Sequence, residues 1–278
     1  MTLRPVNDVA TPKPIEATAV ESETAVNADE RSRAERVAAL NARFRPNGNI
    51  VPLRDDRADD RLAALIDDAQ TVLREAITNE FAGKIALVSS FGAESAVLLH
   101  LLSSVAPDTP VIFLETGKHF AQTLSYRKKI AKEFGLTNIQ DIKPSADEVS
   151  KDDPNGDLWR TNPDACCALR KVRPLAGALS HVDAWVTGRK QFHGGARVSL
   201  PVFEETKTHI KVNPLARWTQ DDVTAYFERH DLPTHALVDQ GFPSIGCWPC
   251  TKPARDDEDV RAGRWRGSDK TECGIHSL

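Results

Sequence analysis

The chain has 278 residues, of which 40% are hydrophobic and 27% charged, and its formal net charge at pH 7 is −4. This length suits one large domain or two small ones. The sequence contains neither a long apolar run nor a secretory signal, which argues against membrane insertion and export, and its acidic balance argues against general nucleic-acid binding. Its five cysteines, odd in number, favour metal or redox chemistry in the cytoplasm over disulfide bonds.

The predicted elements begin after a polar N-terminal segment. Residues 1 to about 28 have no apolar period, so we expect a disordered tail within a region 1–50 that leads into a helix from residue 29 to about 45. A transit peptide is the alternative interpretation, but several acidic residues oppose it: Glu16, Glu21 and Glu23.

Strands and helices then alternate. Short apolar runs predict strands over Ile85–Val88, Val111–Leu114, Ile139–Ile142 and 184–187, and helical periodicity covers 59–81, 95–104, 120–134 and 221–229. Such alternation predicts an α/β fold with an open, mostly parallel sheet flanked by helices, which binds ligands beyond the carboxyl ends of its strands. We expect one α/β domain over 51–260, followed by a C-terminal segment over 261–278.

A serine-rich turn follows the first predicted strand and precedes a helix. Its small and polar residues are Ser89, Ser90, Gly92, Glu94 and Ser95. Backbone N–H groups and the helix dipole can face an anion closely at such a turn, which favours a nucleotide phosphate. The same pattern is also typical of an ordinary helix N-cap.

Four cysteines come from two short segments. Cys166 and Cys167 are adjacent, and Cys247 and Cys250 form a later C-x-x-C pair. Zinc sites favour ligands separated by two to four residues, so the adjacent pair indicates an iron–sulfur cluster more than zinc. A structural zinc site and a redox dithiol at the C-x-x-C pair stay open as alternatives.

Basic residues and a fifth cysteine complete the candidate site. Gly188 opens a basic loop after the fourth strand, and Arg197 follows a glycine pair within it. Arg261 and Arg264 lie near the end of the chain, before Cys273. Arginine suits phosphate and sulfate because its planar guanidinium can bind two oxygens at once.

The loops resemble those of the sulfonucleotide reductases, a branch of the PP-loop superfamily of adenine-nucleotide enzymes with a Rossmann-like fold. Residues 90–95 align with the pattern Ser-Gly-Gly-x-Asp-Ser, with Phe91 and Glu94 as departures, and residues 115–117 resemble a Leu-Asp-Thr-Gly loop. In that family these loops hold the adenosine and its phosphate. The resemblance therefore implies substrate contacts for Glu115, Thr116 and Gly117 as well.

The cysteine segments narrow the resemblance to the iron–sulfur adenylyl-sulfate reductases of this family. Residues 166–175 resemble their cluster-binding segment, which the family pairs with a later C-x-x-C. The resemblance implies that Cys166, Cys167, Cys247 and Cys250 ligate one four-iron four-sulfur cluster. It also implies that Lys171 lies near both cluster and substrate.

The C-terminal motifs extend the resemblance. Residues 261–265 resemble an Arg-x-Gly-Arg-Trp segment, and residues 272–276 resemble Glu-Cys-Gly-Leu-His. They imply that Arg261 and Arg264 clamp the substrate sulfate, that His276 helps to hold it, and that Cys273 is the nucleophile. The basic loop resembles the family's arginine loop, although residues 192–197 replace its Gln-Ser-x-Thr-Arg ending and supply Arg197 at compatible spacing.

The implied reaction reduces adenylyl sulfate (APS) to sulfite and AMP in assimilatory sulfate reduction and cysteine biosynthesis. Attack by Cys273 would leave a cysteine S-sulfonate, and an external thiol such as thioredoxin or glutaredoxin would release sulfite, because a cluster would occupy the other four cysteines. The tail must then be mobile. Alternatives are the 3′-phosphorylated substrate (PAPS), a PP-loop tRNA-thiolating enzyme and a zinc-stabilised interaction module. The sequence is compatible with a homo-oligomer.

Overall fold

The computed structural model describes residues 17–44, 58–255, 257–267 and 270–278. The α-helices are α1 (Ala17–Arg43), α2 (Ala58–Arg74), α3 (Ser95–Val105), α4 (Ala121–Glu133), α5 (Ala146–Asp152), α6 (Leu158–Thr161), α7 (Pro163–Cys167), α8 (Arg173–Leu179) and α9 (Gln220–Arg229). The strands are β1 (Ile85–Val88), β2 (Val111–Leu114), β3 (Ile139–Ile142), β4 (Ala184–Val186), β5 (Phe203–Glu205) and β6 (Ile210–Val212). Wider π-helical turns cover Glu75–Glu80 and Ala168–Val172, and short 3-10 turns cover Gln191–His193, Gly195–Arg197, Val238–Gln240, Trp248–Cys250 and Ile275–Ser277.

Six strands form one sheet in the order β3-β2-β1-β4-β6-β5. Neighbouring strands are parallel except at the edge, where β5 pairs with β6 in the antiparallel direction. The α/β prediction with a mostly parallel sheet is confirmed. Because the order reverses between β1 and β4, the crevice beyond their carboxyl ends is the expected ligand position in such a sheet.

The N-terminal helix differs from the expectation. Helix α1 begins at Ala17 rather than near residue 29, so residues 17–28 continue the helix that was predicted to follow a disordered tail. The rest of that predicted tail, residues 1–16, lies outside the described residues, as does the predicted domain boundary at 50–51.

The two faces of the sheet are packed by separate sets of apolar side chains. Along β1, Leu87 belongs to the larger core and Ala86 to the smaller one, as the alternation of side chains along a strand requires. The smaller core lies on the α8 side and includes Trp185 of β4, and Ile275 and Leu278 of the C-terminal segment pack against it. The end of the chain is therefore docked on the sheet. Among the described helices, none combines the length and apolar character needed to cross a membrane.

The cysteine-bearing helix α7 runs through a π-helical turn into α8. Asn162 caps α7 by accepting a hydrogen bond from the backbone N–H of Ala165 at 3.0 Å, and Pro163 occupies the first turn, where no N–H is needed. Pro174 near the start of α8 cannot donate a helical hydrogen bond, and the wider turn precedes it. This turn carries Arg170 and Lys171.

Candidate active site

A cavity of about 230 Å³ lies at the carboxyl ends of β1 and β4. Most residues predicted to contact a substrate line it: Ser89, Ser90, Gly92, Glu94, Ser95, Lys171, Gly188, Arg197, Arg261, Arg264, Cys273 and His276. Residues far apart in the sequence thus meet because parallel strands end at the same edge of the sheet. The cavity is closed on one side by the C-terminal segment.

Three predicted substrate residues do not line this cavity. Glu115, Thr116 and Gly117 follow β2 but turn toward the cysteines. The hydroxyl of Thr116 lies 3.4 Å from the sulfur of Cys247, and its carbonyl accepts a hydrogen bond of 2.9 Å from Arg170. The structure therefore places this loop beside the cysteine pocket rather than on the cavity wall.

The turn after β1 is held tightly by its own backbone and by the core. The hydroxyl of Ser89 accepts a hydrogen bond from the N–H of Phe91 at 3.1 Å. Phe91 has a φ of +49°, a conformation that costs a non-glycine residue energy, and its fully buried ring packs edge-on against Phe113. A Cβ at Gly92 would lie 3.0 Å from the carbonyl oxygen of Ile245, so this close approach requires glycine.

Glu94 joins this turn to the basic loop that follows β4. Its Oε2 accepts a hydrogen bond of 2.7 Å from Lys190 and lies 3.2 Å from Nε2 of His193. Burial alone would raise the pKa of Glu94, but Lys190 and His193 together lower it to about 2. The carboxylate is thus ionised, and it already binds the side chains of Lys190 and His193.

Four arginines line the cavity and make its wall positive: Arg189, Arg197, Arg261 and Arg264. Arg197 is buried and donates a hydrogen bond to Glu272, and Nη2 of Arg261 lies 3.5 Å from the same carboxylate oxygen. Burial lowers the pKa of Arg264, and the positive charge of the nearby Arg261 lowers it further. The side chain of Arg264 fits closely because its neighbour Gly246 has no Cβ, which would overlap the guanidinium.

The C-terminal segment is fixed by His276. Its ring stacks on Trp185, with centroids 5.7 Å apart and planes 3° from parallel, and its carbonyl accepts a hydrogen bond of 2.6 Å from the buried Lys211. Burial and the neighbouring Arg189 and Arg197 hold the pKa of His276 well below its usual value, so the imidazole is neutral. Its buried Nδ1 has no hydrogen-bond partner among the described residues, which leaves it free for a ligand.

The other four cysteines surround a second, small cavity of about 20 Å³, lined by Cys166, Cys167, Cys247 and Cys250. All four are free thiols. Among the described residues, no three Cys, His, Asp or Glu side chains meet closely enough for a single metal ion. A cubic iron–sulfur cluster holds its four thiolates at separate corners, further apart than the ligands of one ion, and the all-sulfur donor set suits it. The four cysteines of this pocket are thus donors of the kind that an iron–sulfur cluster requires.

Lys171 lines both cavities. Burial opposes its charge, but the sulfurs of Cys247, Cys273 and Cys167 outweigh burial and raise the pKa of Lys171. Conversely, burial raises the pKa of Cys167 to about 12, whereas Lys171 and the hydroxyl of Thr116 outweigh burial and lower the pKa of Cys247. Lys171 thus connects the cysteine pocket to the cavity that contains Cys273, as does Arg264, which also lines both.

Glu272 and His193 are among the residues of the cavity wall that were not predicted as site residues. Glu272 pairs with Arg197, and its place beside Cys273 in the tail motif was the available signal. His193 lies within the segment that departs from the family pattern, and no sequence signal connected it to Glu94.

Comparisons with known proteins agree with this geometry. Residues 84–253 match the phosphoadenosine phosphosulfate reductase domain family. A protein of Mesorhizobium japonicum named adenosine 5′-phosphosulfate reductase is 53% identical over 196 residues, covering 70% of this chain and 77% of that protein. A protein of the same name from Chelativorans sp. is 50% identical over 194 residues, covering 70% and 79%. The crystal structure of phosphoadenylyl-sulfate (PAPS) reductase from Candida auris, in a phosphate complex, has a TM-score of 0.58 and 30% identity, covering 73% of this chain and 99% of that one.

Proposed function

Because the chain belongs to the phosphoadenosine phosphosulfate reductase family, we propose that it reduces APS to sulfite and AMP, with Cys273 as the nucleophile. One observation carries the assignment of the nucleophile. Cys273 lines the same cavity as Arg197, Arg261 and Arg264, whereas the other four cysteines line a separate pocket. A sulfur beside three guanidinium groups can attack a sulfate group that those groups neutralise.

In the first step, the thiolate of Cys273 attacks the sulfur atom of APS. A sulfur–sulfur bond forms, the bond between that sulfur and the bridging oxygen breaks, and AMP leaves with the oxygen and the electron pair. The arginines stabilise the negative charge of the departing phosphate. The neutral imidazole of His276, with its unpartnered Nδ1, can hydrogen-bond the sulfate oxygens as the reaction proceeds.

The second step requires a reductant outside the chain. A thiolate of a dithiol protein such as thioredoxin or glutaredoxin attacks the sulfur of Cys273, and sulfite leaves with the bonding electron pair. The second thiol of the reductant then reduces the mixed disulfide and is oxidised. Cys273 lies only partly exposed in the cavity, so the C-terminal segment must undock before this step. We propose that the C-terminal segment over 261–278, which carries Cys273, undocks in this way.

Cys166, Cys167, Cys247 and Cys250 would hold the iron–sulfur cluster. When bound, such a cluster supplies a centre whose charge and potential respond to nearby cations. Lys171 and Arg264 are cations that line both this pocket and the cavity. The five free thiols also support a reducing compartment, and we place the protein in the cytoplasm.

APS is preferred to PAPS because the two bacterial relatives reported above are named as APS reductases. The test is sulfite release from each nucleotide by anaerobically purified protein with thioredoxin, together with the intact mass after APS is added alone. We expect turnover of APS and a mass increase of one sulfonate group on Cys273, and neither in Cys273→Ser. A strong preference for PAPS would correct the substrate, and sulfite release by Cys273→Ser would refute the nucleophile.

A further inference from the structure

His193 sits between two charged side chains of the cavity wall. Its Nε2 lies 3.2 Å from Oε2 of Glu94, and its Nδ1 lies 3.1 Å from Nη1 of Arg197. The side chains of His193 and Arg197 are only 10% and 9% exposed, so both contacts are shielded from water. The residue lies in the short segment where this chain departs from the arginine loop that it resembles.

The chemistry of the two neighbours fixes the form of the ring. A guanidinium can only donate hydrogen bonds, so Nδ1 of His193 must be the unprotonated acceptor for Arg197. An ionised carboxylate can only accept, so Nε2 must carry the proton and donate to Glu94. The imidazole is therefore neutral and in one tautomer. Burial lowers the pKa of His193, and repulsion from Lys190 and Arg197 lowers it further, although Glu94 opposes the shift. A lowered pKa agrees with the neutral form.

Two hydrogen bonds hold the guanidinium of Arg197, and only one of them involves the C-terminal segment. Nη2 donates to Glu272, which belongs to the C-terminal segment beside Cys273, and Nη1 donates to His193, which belongs to the loop after β4. When the segment undocks, Glu272 leaves with it. His193 stays, because it is connected through Glu94 to the start of α3 and to Lys190.

We propose that His193 is a positioning residue that keeps Arg197 directed into the cavity, so that the substrate anion meets a preorganised guanidinium even when the tail is undocked. The inference rests on the proposed function, since it assumes that Arg197 binds the substrate. Glu94 supports His193 from the far side, and the chain Glu94–His193–Arg197 replaces the missing family motif with a different means of orienting the same arginine.

The test uses isosteric variants of the full-length chain. The amide oxygen of Asn can occupy the place of Nδ1 and accept from Arg197, whereas the amide nitrogen of Gln can occupy the place of Nε2 and donate to Glu94. APS binding is measured by calorimetry in the Cys273→Ser background, where the substrate is held without turnover. The kcat and KM for APS are measured with Cys273 intact, and thermal unfolding of each variant is recorded.

We expect His193→Ala to weaken APS binding and raise KM about tenfold, because an arginine that is no longer oriented contributes less to substrate binding. His193→Asn should restore affinity to within about threefold, and His193→Gln should bind as weakly as His193→Ala. In an Arg197→Ala background, removing His193 should have no further effect, because the histidine acts through that arginine. His181→Ala, an exposed histidine outside the cavity, is the matched control.

Three results would overturn the inference while leaving the proposed function intact: unchanged affinity in His193→Ala, rescue by Gln as complete as by Asn, or additive losses in the double variant. Failure of the Cys273→Ser reference chain to bind APS would instead overturn the proposed function, and the inference with it.

Discussion

Replacing Lys211 by methionine should release the C-terminal segment without unfolding the domain. The ammonium of Lys211 is 1% exposed and donates a 2.6 Å hydrogen bond to the carbonyl of His276. A hydrogen bond from a charged group stabilises by about 1.5–3 kcal/mol, so its loss should shift the docking equilibrium about ten- to a hundredfold toward the undocked segment.

The same substitution removes an unfavourable buried charge from the folded domain. Burial and the neighbouring Arg189 lower the pKa of Lys211 to about 8, from an ordinary value near 10.5. A difference of this size corresponds to about 3 kcal/mol of destabilisation of the charged side chain at pH 7. Methionine has a similar length and no charge, so the midpoint of thermal unfolding should not fall.

The assay is the rate at which iodoacetamide alkylates Cys273, followed by peptide mass spectrometry. In Lys211→Met this rate should rise about tenfold or more, up to the rate of a free thiol. Lys84→Met is the matched control, because Lys84 also donates to a backbone carbonyl, that of His181 at 3.3 Å, which does not belong to the C-terminal segment. An unchanged alkylation rate in a stable Lys211→Met chain would refute the role of Lys211 in docking.

Three further predictions concern other parts of the fold. Burial lowers the pKa of His235 to about 4. As the pH drops from 6.5 to 4, the unfolded chain is protonated at this residue before the folded chain is, so the free energy of unfolding should fall by about 3 kcal/mol. Urea unfolding of His235→Gln should lack this contribution to the pH dependence. Asp222→Asn breaks the buried pair with Arg61 and should cost about 3 kcal/mol in urea unfolding, whereas Asp68→Asn, in a partly exposed pair, should cost under about 1 kcal/mol. Cys247→Ser should abolish the visible absorption of anaerobically purified protein, and an unchanged spectrum would contradict the cluster assignment.

The central strands could be predicted from sequence because they are local apolar runs. β1, β2 and β3 have the predicted bounds, and β4 ends one residue earlier than predicted. Strands β5 and β6 at one side of the sheet were missed for a physical reason. Glu204 and Lys211 place charges in them, and the groups that make those charges tolerable, Arg189 and the carbonyl of His276, come from other parts of the chain.

The candidate site, like the sheet, could be predicted only in part from the sequence. The five cysteines could be singled out because their spacing and neighbours form recognisable motifs, and the structure places Cys273 in one pocket and the other four in another. Contacts between motifs were not predictable. Thr116 lies against the sulfur of Cys247 rather than on the cavity wall, and His193 acquires its neighbours only when the loops after β1 and β4 meet. Pairing across a sheet edge leaves no local pattern.

The turn after β1 restricts how its residues could be exchanged for those of the Ser-Gly-Gly-x-Asp-Ser pattern. Restoring glycine at Phe91 would relieve the positive φ but delete an aromatic ring from the core, leaving a void beside Phe113. Restoring aspartate at Glu94 would shorten the side chain that reaches Lys190 and His193. The first substitution therefore damages the core, and the second damages the contacts to the basic loop. An engineered exchange of this motif would have to redesign the core and the basic loop as well.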